Sequence, residues 1–110
     1  MMADCLADVV TAANVPKSDI LSDRRDSKIA KYRQLAMWLC RHRTHQSLPA
    51  IGRFFNRDHT TVIHAIEATD RRIRRDHEFA EFANRLRPDI VKFVTPNARA
   101  VIMQRFEDVQ

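Results

Sequence analysis

A single glycine, Gly52, in a chain of 110 residues limits what this sequence can fold into. Average globular sequences carry about 7% glycine. Loops that cradle phosphates need several glycines, for tight turns and for close approach of the backbone to the ligand. A P-loop and a dinucleotide fingerprint are therefore excluded, and nucleotide hydrolysis by either route goes with them. Hairpin-rich all-β folds are disfavoured on related grounds, because their tight turns call for residues with positive φ. The length fits one domain, and 45% hydrophobic residues suffice for a modest core.

The spacing of apolar residues predicts an all-α, compact multi-helix domain. Residues 3–15 place Leu6, Val9, Val10 and Ala13 on one stripe, which Asn14 and Pro16 end. Ser18 is expected to cap a short turn. Ser27 is expected to cap a helix over about 28–43, with Tyr32, Leu35, Ala36, Leu39 and Cys40 inward and Arg33, Arg41 and Arg43 elsewhere. Ser47, followed by a proline in the first turn, predicts a short helix to about Phe55, with Leu48, Ile51, Phe54 and Phe55 available for the core. Asn56 stands where a tight turn is needed and tolerates the left-handed region. Asp58 is expected to cap a helix over about 58–75, with Val62, Ile66, Thr69 and Ile73 inward. Residues 77–87 repeat the stripe with Phe79, Phe82, Ala83 and Leu86. Asn97 is expected to cap an additional C-terminal helix. No internal repeat, low-complexity tract or linker is visible.

Charge is distributed unevenly. Residues 1–22 carry −2, residues 23–75 carry +8 and residues 76–110 carry −1. Eleven of the 13 basic side chains in the middle segment are arginine, whose planar fork suits phosphates and guanine edges. A basic excess confined to half the chain points to nucleic acid. Cys5 and Cys40 show no metal-type spacing, and two cysteines are too few for a disulfide scaffold, so a reducing compartment is expected. The N-terminal residues lack a basic run, and no stretch approaches the ~20 apolar residues of a membrane span. A cytoplasmic, nucleoid-associated protein with no membrane partner is expected. No nucleophile–base pair, carboxylate pair or metal-ligand cluster stands at usable spacing, so no enzyme activity, cofactor or metal is expected.

Two short helices joined by a brief turn at residues 47–75 match a helix-turn-helix, whose second helix enters the major groove. Within it, Arg57-Asp58-His59-Thr60-Thr61-Val62-Ile63-His64-Ala65 strongly resembles the C-terminal DNA-binding domain (domain IV) of the bacterial replication initiator family DnaA. Three further blocks agree in order: Ser22-Asp23-Arg24-Arg25, Tyr32-Arg33-Gln34-Leu35-Ala36-Met37, and Ser47-Leu48-Pro49-Ala50-Ile51-Gly52. The resemblance covers about residues 5–87. It divides the chain into a DNA-binding domain at 1–87 and a helical extension at 88–110, packing on that domain or on a partner.

The resemblance implies that Asp58, His59 and Thr60 read bases in the major groove and that Arg25 enters the adjacent minor groove. The residue chemistry agrees: Asp58 can accept from a cytosine amine, the Thr60 methyl can meet thymine, and arginine favours a groove narrowed by A·T pairs. Arg33, Gln34, Arg41, Leu48, Pro49 and Thr61 are implied along the phosphates, and Arg57 is expected to join them. Asp58 can also serve as an N-cap alone, and His64 is read as structural.

Three departures stand out. Phe55-Asn56-Arg57 is one residue shorter than the usual glycine-containing turn, Tyr32 replaces a proline, and Asp26 adds an anion beside Arg25. The family's ATPase domain is not present in these residues. The function expected is sequence-specific binding of double-stranded DNA at initiator-box-like sites, in a stand-alone module regulating replication initiation or transcription. The alternative is an adaptor or decoy that mimics the initiator, has lost DNA affinity and binds an initiator-associated regulatory protein. Oligomeric state stays open.

Overall fold

The computed structural model describes residues 1–86. The expected extension at 88–110, with its Asn97-capped helix, lies outside the described residues. Among those described the chain is all-α, with α1 at Met2–Ala13, α2 at Lys17–Leu21, α3 at Ser27–Thr44, α4 at Leu48–Phe55, α5 at His59–Arg75 and α6 at His77–Leu86. The chain divides into two units, Met1–Thr69 and Asp70 onward, and α5 runs through the boundary.

In the first unit α3 is the central element, because α1, α2 and α4 all pack against it. Ile29 and the unbroken run Leu35–Cys40 are buried, with Trp38 fully enclosed. Burial on several faces is what a surrounded helix requires. Each fully buried large side chain, such as Trp38 or Phe55, contributes on the order of 1.5–3 kcal/mol. Tyr32, expected in the core, is only half-buried.

Two further expectations about α3 are corrected. Ser27 is the first helical residue and Asp26 occupies the N-cap position, its carbonyl accepting from Ala30 N–H at 2.9 Å. The Asp26 carboxylate makes no capping bond, since Arg24 takes it with Nε at 3.2 Å and Nη2 at 2.5 Å. Arg33, expected away from the core, is buried at 8% exposure. Its guanidinium turns inward to the Asp19, Ile20 and Ser22 carbonyls at the end of α2.

The end of α1 and the turn after α4 are built alike. Asn14 and Asn56 both adopt left-handed conformations, at φ 54° and φ 56°. Ser47 caps α4, its Oγ accepting from Ala50 N–H at 3.2 Å, with proline in the first turn. Ile51 and Phe55 are buried, while Leu48 and Phe54 are half-buried. Gly52 has no positive φ; its role is space. Its carbonyl accepts from Arg57 N–H at 2.7 Å, and the turn folds back closely against its Cα.

In α5, Val62, Ala65 and Thr69 are buried, and the Thr69 hydroxyl donates to the Ala65 carbonyl at 2.9 Å. Ala65 takes the inward position expected of Ile66, which is half-buried. In the second unit Ile73, Phe79, Ala80 and Ala83 are buried. Asp76 Oδ1 accepts from Phe79 N–H at 3.1 Å and starts α6. No helix among the described residues is long and apolar enough to cross a membrane.

Candidate nucleic-acid interface

The α4–turn–α5 segment forms a helix-turn-helix, and its second helix begins with four exposed side chains in sequence: Asp58, His59, Thr60 and Thr61. Asp58 Oδ2 accepts from Thr60 N–H at 3.0 Å, so Asp58 orders the first turn of α5. The amide and then the hydroxyl of Thr60 hold the Asp58 carboxyl below the usual carboxylate range. Its second oxygen, Oδ1, faces His59 Nδ1 at 3.6 Å. An ionised, solvent-exposed acceptor is the chemistry that a cytosine amine requires. The free amides of the α5 N-terminus suit an anion beside it.

Arg25 lies on the exposed segment between α2 and α3. It makes no hydrogen bond or ion pair among the described residues, whereas the neighbouring Arg24 is spent on Asp26 and on Asp19 Oδ2 at 3.2 Å. Asp26 is thus engaged by Arg24.

Arg33, Gln34, Arg57 and Thr61, four residues expected along phosphates, line one cleft of about 180 Å³ with Ala30, Met37, His64 and Ala65. His64, expected to be structural, is exposed and lines that cleft. Its position four residues after Thr60 was the available signal. Arg41, Leu48, Pro49 and Arg25 lie outside the cleft. Arg41 Nη1 donates to the Gln46 carbonyl at 2.6 Å across the end of α3. Leu48 and Pro49 occupy the first turn of α4, half-buried and exposed respectively.

Arg33 and Arg57 direct their guanidinium groups inward. Arg33 donates from Nε to Ile20 O at 2.6 Å and from Nη2 to Ser22 O at 2.9 Å. Arg57 donates from Nη1 to Phe55 O at 3.0 Å and to Asn56 O at 3.2 Å, and from Nη2 to Ser22 O at 2.6 Å. Burial first, then the nearby Arg57 charge, pushes Arg33 down from the usual guanidinium range. Among the described residues no cluster of three or more His, Cys, Asp or Glu side chains is placed to hold a metal ion.

The family described as "Bacterial dnaA protein helix-turn-helix" matches residues 3–68. The chain is 45% identical over 75 residues to the chromosomal replication initiator protein DnaA of Wolbachia sp. subsp. Brugia malayi, covering 67% of this chain and 16% of that protein. It is 46% identical over 79 residues to the protein of that name from Xanthobacter autotrophicus, covering 71% and 16%. With the Limosilactobacillus fermentum protein it shares 42% over 85 residues, covering 76% and 18%. The chain thus spans about a sixth of the length of the curated relatives it matches.

Proposed function

Because the chain belongs to the bacterial DnaA helix-turn-helix family, we propose that it binds double-stranded DNA with sequence specificity at initiator-box-like sites. One observation carries this reading: the start of α5 presents Asp58, His59, Thr60 and Thr61 to solvent on a capped, ordered turn, with Arg25 uncommitted on the segment after α2. In the bound state α5 lies in the major groove. Asp58 accepts from a cytosine amine, while His59 and Thr60 meet neighbouring base edges and a thymine methyl. Arg25 enters the adjacent minor groove, favoured where A·T pairs narrow it.

Gln34, Arg41, Leu48, Pro49 and Thr61 follow the phosphates, and Arg33 adds the donors that the α2 carbonyls leave over. Asp26 does not oppose this arrangement, since Arg24 occupies it. The biological role we assign is regulation of replication initiation, or of transcription, at such boxes in the bacterial nucleoid.

The test is a binding titration against an initiator-box duplex and a scrambled duplex at two salt concentrations. The box should bind more tightly, and about six phosphate contacts should give a log–log salt slope near −5. Equal affinity for both duplexes at physiological salt would sink the specific reading. A stoichiometric protein partner surviving nuclease treatment, with no duplex binding, would then identify the chain as an initiator-mimicking adaptor.

A further inference from the structure

The Ser22 carbonyl is the meeting point of three elements. It ends α2, and it accepts one bond from Arg33 of α3 and another from Arg57, the residue preceding Asp58. A carbonyl oxygen has two lone pairs, so both donors are accommodated. Asp23 Oδ1 also stands 3.8 Å from Arg57 Nη2 as an ion pair, and the segment that follows, Ser22 to Asp26, is otherwise held by local bonds. Ser22 Oγ donates to Asp19 O at 2.6 Å and accepts from Arg24 N–H at 3.2 Å, and Arg24 pairs with Asp19 and Asp26. None of these local bonds relates the segment to α5.

Arg57 makes that connection. Its Nη1 holds the carbonyls of Phe55 and Asn56 in the turn, and its Nη2 holds Ser22, 35 residues away in sequence. One rigid, planar group therefore bridges the turn before α5 and the segment carrying Arg25. Its side chain is only 18% exposed, as befits an internal tie. The ammonium of a lysine is a single point charge and cannot reproduce that fork.

We propose that Arg57 is a positioning residue: through Ser22 it holds the Arg25 segment in register with the start of α5, so that minor-groove and major-groove reading act as one unit. The proposal rests on the DNA-binding reading above, and it assigns Arg57 a part different from a phosphate contact.

The test combines Arg57→Lys, Arg57→Gln, Arg25→Ala and the Arg25→Ala/Arg57→Lys double variant in the full chain. Box and scrambled duplexes are titrated with each, and thermal unfolding is followed in parallel. Both Arg57 variants should lose about tenfold of the box preference, although Arg57→Lys keeps the charge. The double variant should match Arg25→Ala alone, because Arg57 acts through Arg25. In the free protein, amides of residues 23–26 should exchange faster in Arg57→Lys while amides of α3 stay protected.

Wild-type preference in Arg57→Lys, or losses that add in the double variant, would overturn the proposal. A wild-type chain that does not distinguish the duplexes would overturn the DNA reading and the coupling with it. In that event, faster exchange confined to residues 23–26 would show that the tie itself exists and that DNA reading is what failed.

Discussion

The Arg57 backbone N–H donates to the Gly52 carbonyl at 2.7 Å, and a Cβ added at Gly52 would stand 2.4 Å from the Arg57 carbonyl oxygen. The chain's only glycine thus sits where the turn of the helix-turn-helix folds back onto α4. A contact that short against backbone cannot be relieved by a rotamer change. Gly52→Ala would gain about 1 kcal/mol of helix propensity, yet the displaced turn should cost more, for a net loss of about 1–2 kcal/mol. Chemical denaturation checks this. A stabilised Gly52→Ala variant would show that the turn yields freely.

Asn56 completes the same turn at φ 56° and ψ 50°. The shortened turn is accommodated by one left-handed residue, with no glycine at that position. Asn56→Gly should therefore be within a few tenths of a kcal/mol of wild type. Asn56→Ala should cost about 1–2 kcal/mol, the penalty of a Cβ in that region. Unfolding midpoints of the two variants measure the difference directly, and equal midpoints would contradict it.

Much of this region is legible in the sequence, and the failures have a common physical origin. Ser47, Asn56 and Asp58 act through their immediate neighbours, so residue type and position suffice to place the start of α4, the turn and the start of α5. Arg33 is different. A stripe argument assigns a charged side chain to solvent, but the carbonyls at Asp19, Ile20 and Ser22 offer Arg33 a buried set of acceptors that only tertiary packing assembles. Tyr32 fails for a related reason: α3 has three packed neighbours, so no single stripe describes it. Ala65 and Ala80 are buried where the larger Ile66 and Phe82 are half-buried, because angular position on the helix outweighs hydrophobicity. The base-reading role proposed for Asp58, His59 and Thr60 rests on family resemblance, whereas the Ser22 junction depends on contacts distant in sequence.

Asp58 caps α5 with Oδ2 and keeps Oδ1 3.6 Å from His59 Nδ1, so the cap and the proposed cytosine contact fall on different oxygens. In Asp58→Asn the single carbonyl oxygen remains for the cap, and an amide N–H group replaces the second acceptor. Stability should then change by less than about 0.5 kcal/mol, against about 1 kcal/mol for Asp58→Ala. Box affinity should fall by about 1–3 kcal/mol in both variants, because neither offers an acceptor to cytosine while capping. Wild-type box selectivity in Asp58→Asn would reduce Asp58 to a cap.

Cys5 of α1 and Cys40 of α3 are both buried free cysteines. Burial pushes the Cys40 thiol up to about 12 and raises Cys5 in the same direction. Because the thiolate is the reacting form, both should resist alkylation at pH 8 until the unit opens. Mass spectrometry should find both unmodified in native buffer and both modified in denaturant. Rapid native labelling of either would show that the α1–α3 packing opens readily.

The exposed Asp26 and Asp58 should titrate below the ordinary aspartate range for separate reasons. The Arg24 guanidinium holds Asp26 down, and the Thr60 amide and hydroxyl hold Asp58 down. A carboxyl group whose pKa is depressed on folding stabilises the fold above its unfolded value of about 4 and loses that contribution as pH falls through the folded value. The urea midpoint should therefore owe nothing to these groups' titration between about pH 5 and 7, and their contribution should be lost below about pH 4. The effect is small, because solvent screens both pairs. Carboxyl-detected NMR titration resolves the two residues. Arg24→Ala should return Asp26 to the ordinary range and leave Asp58 unmoved, whereas a joint shift would show that the segment after α2 and the start of α5 titrate as one network.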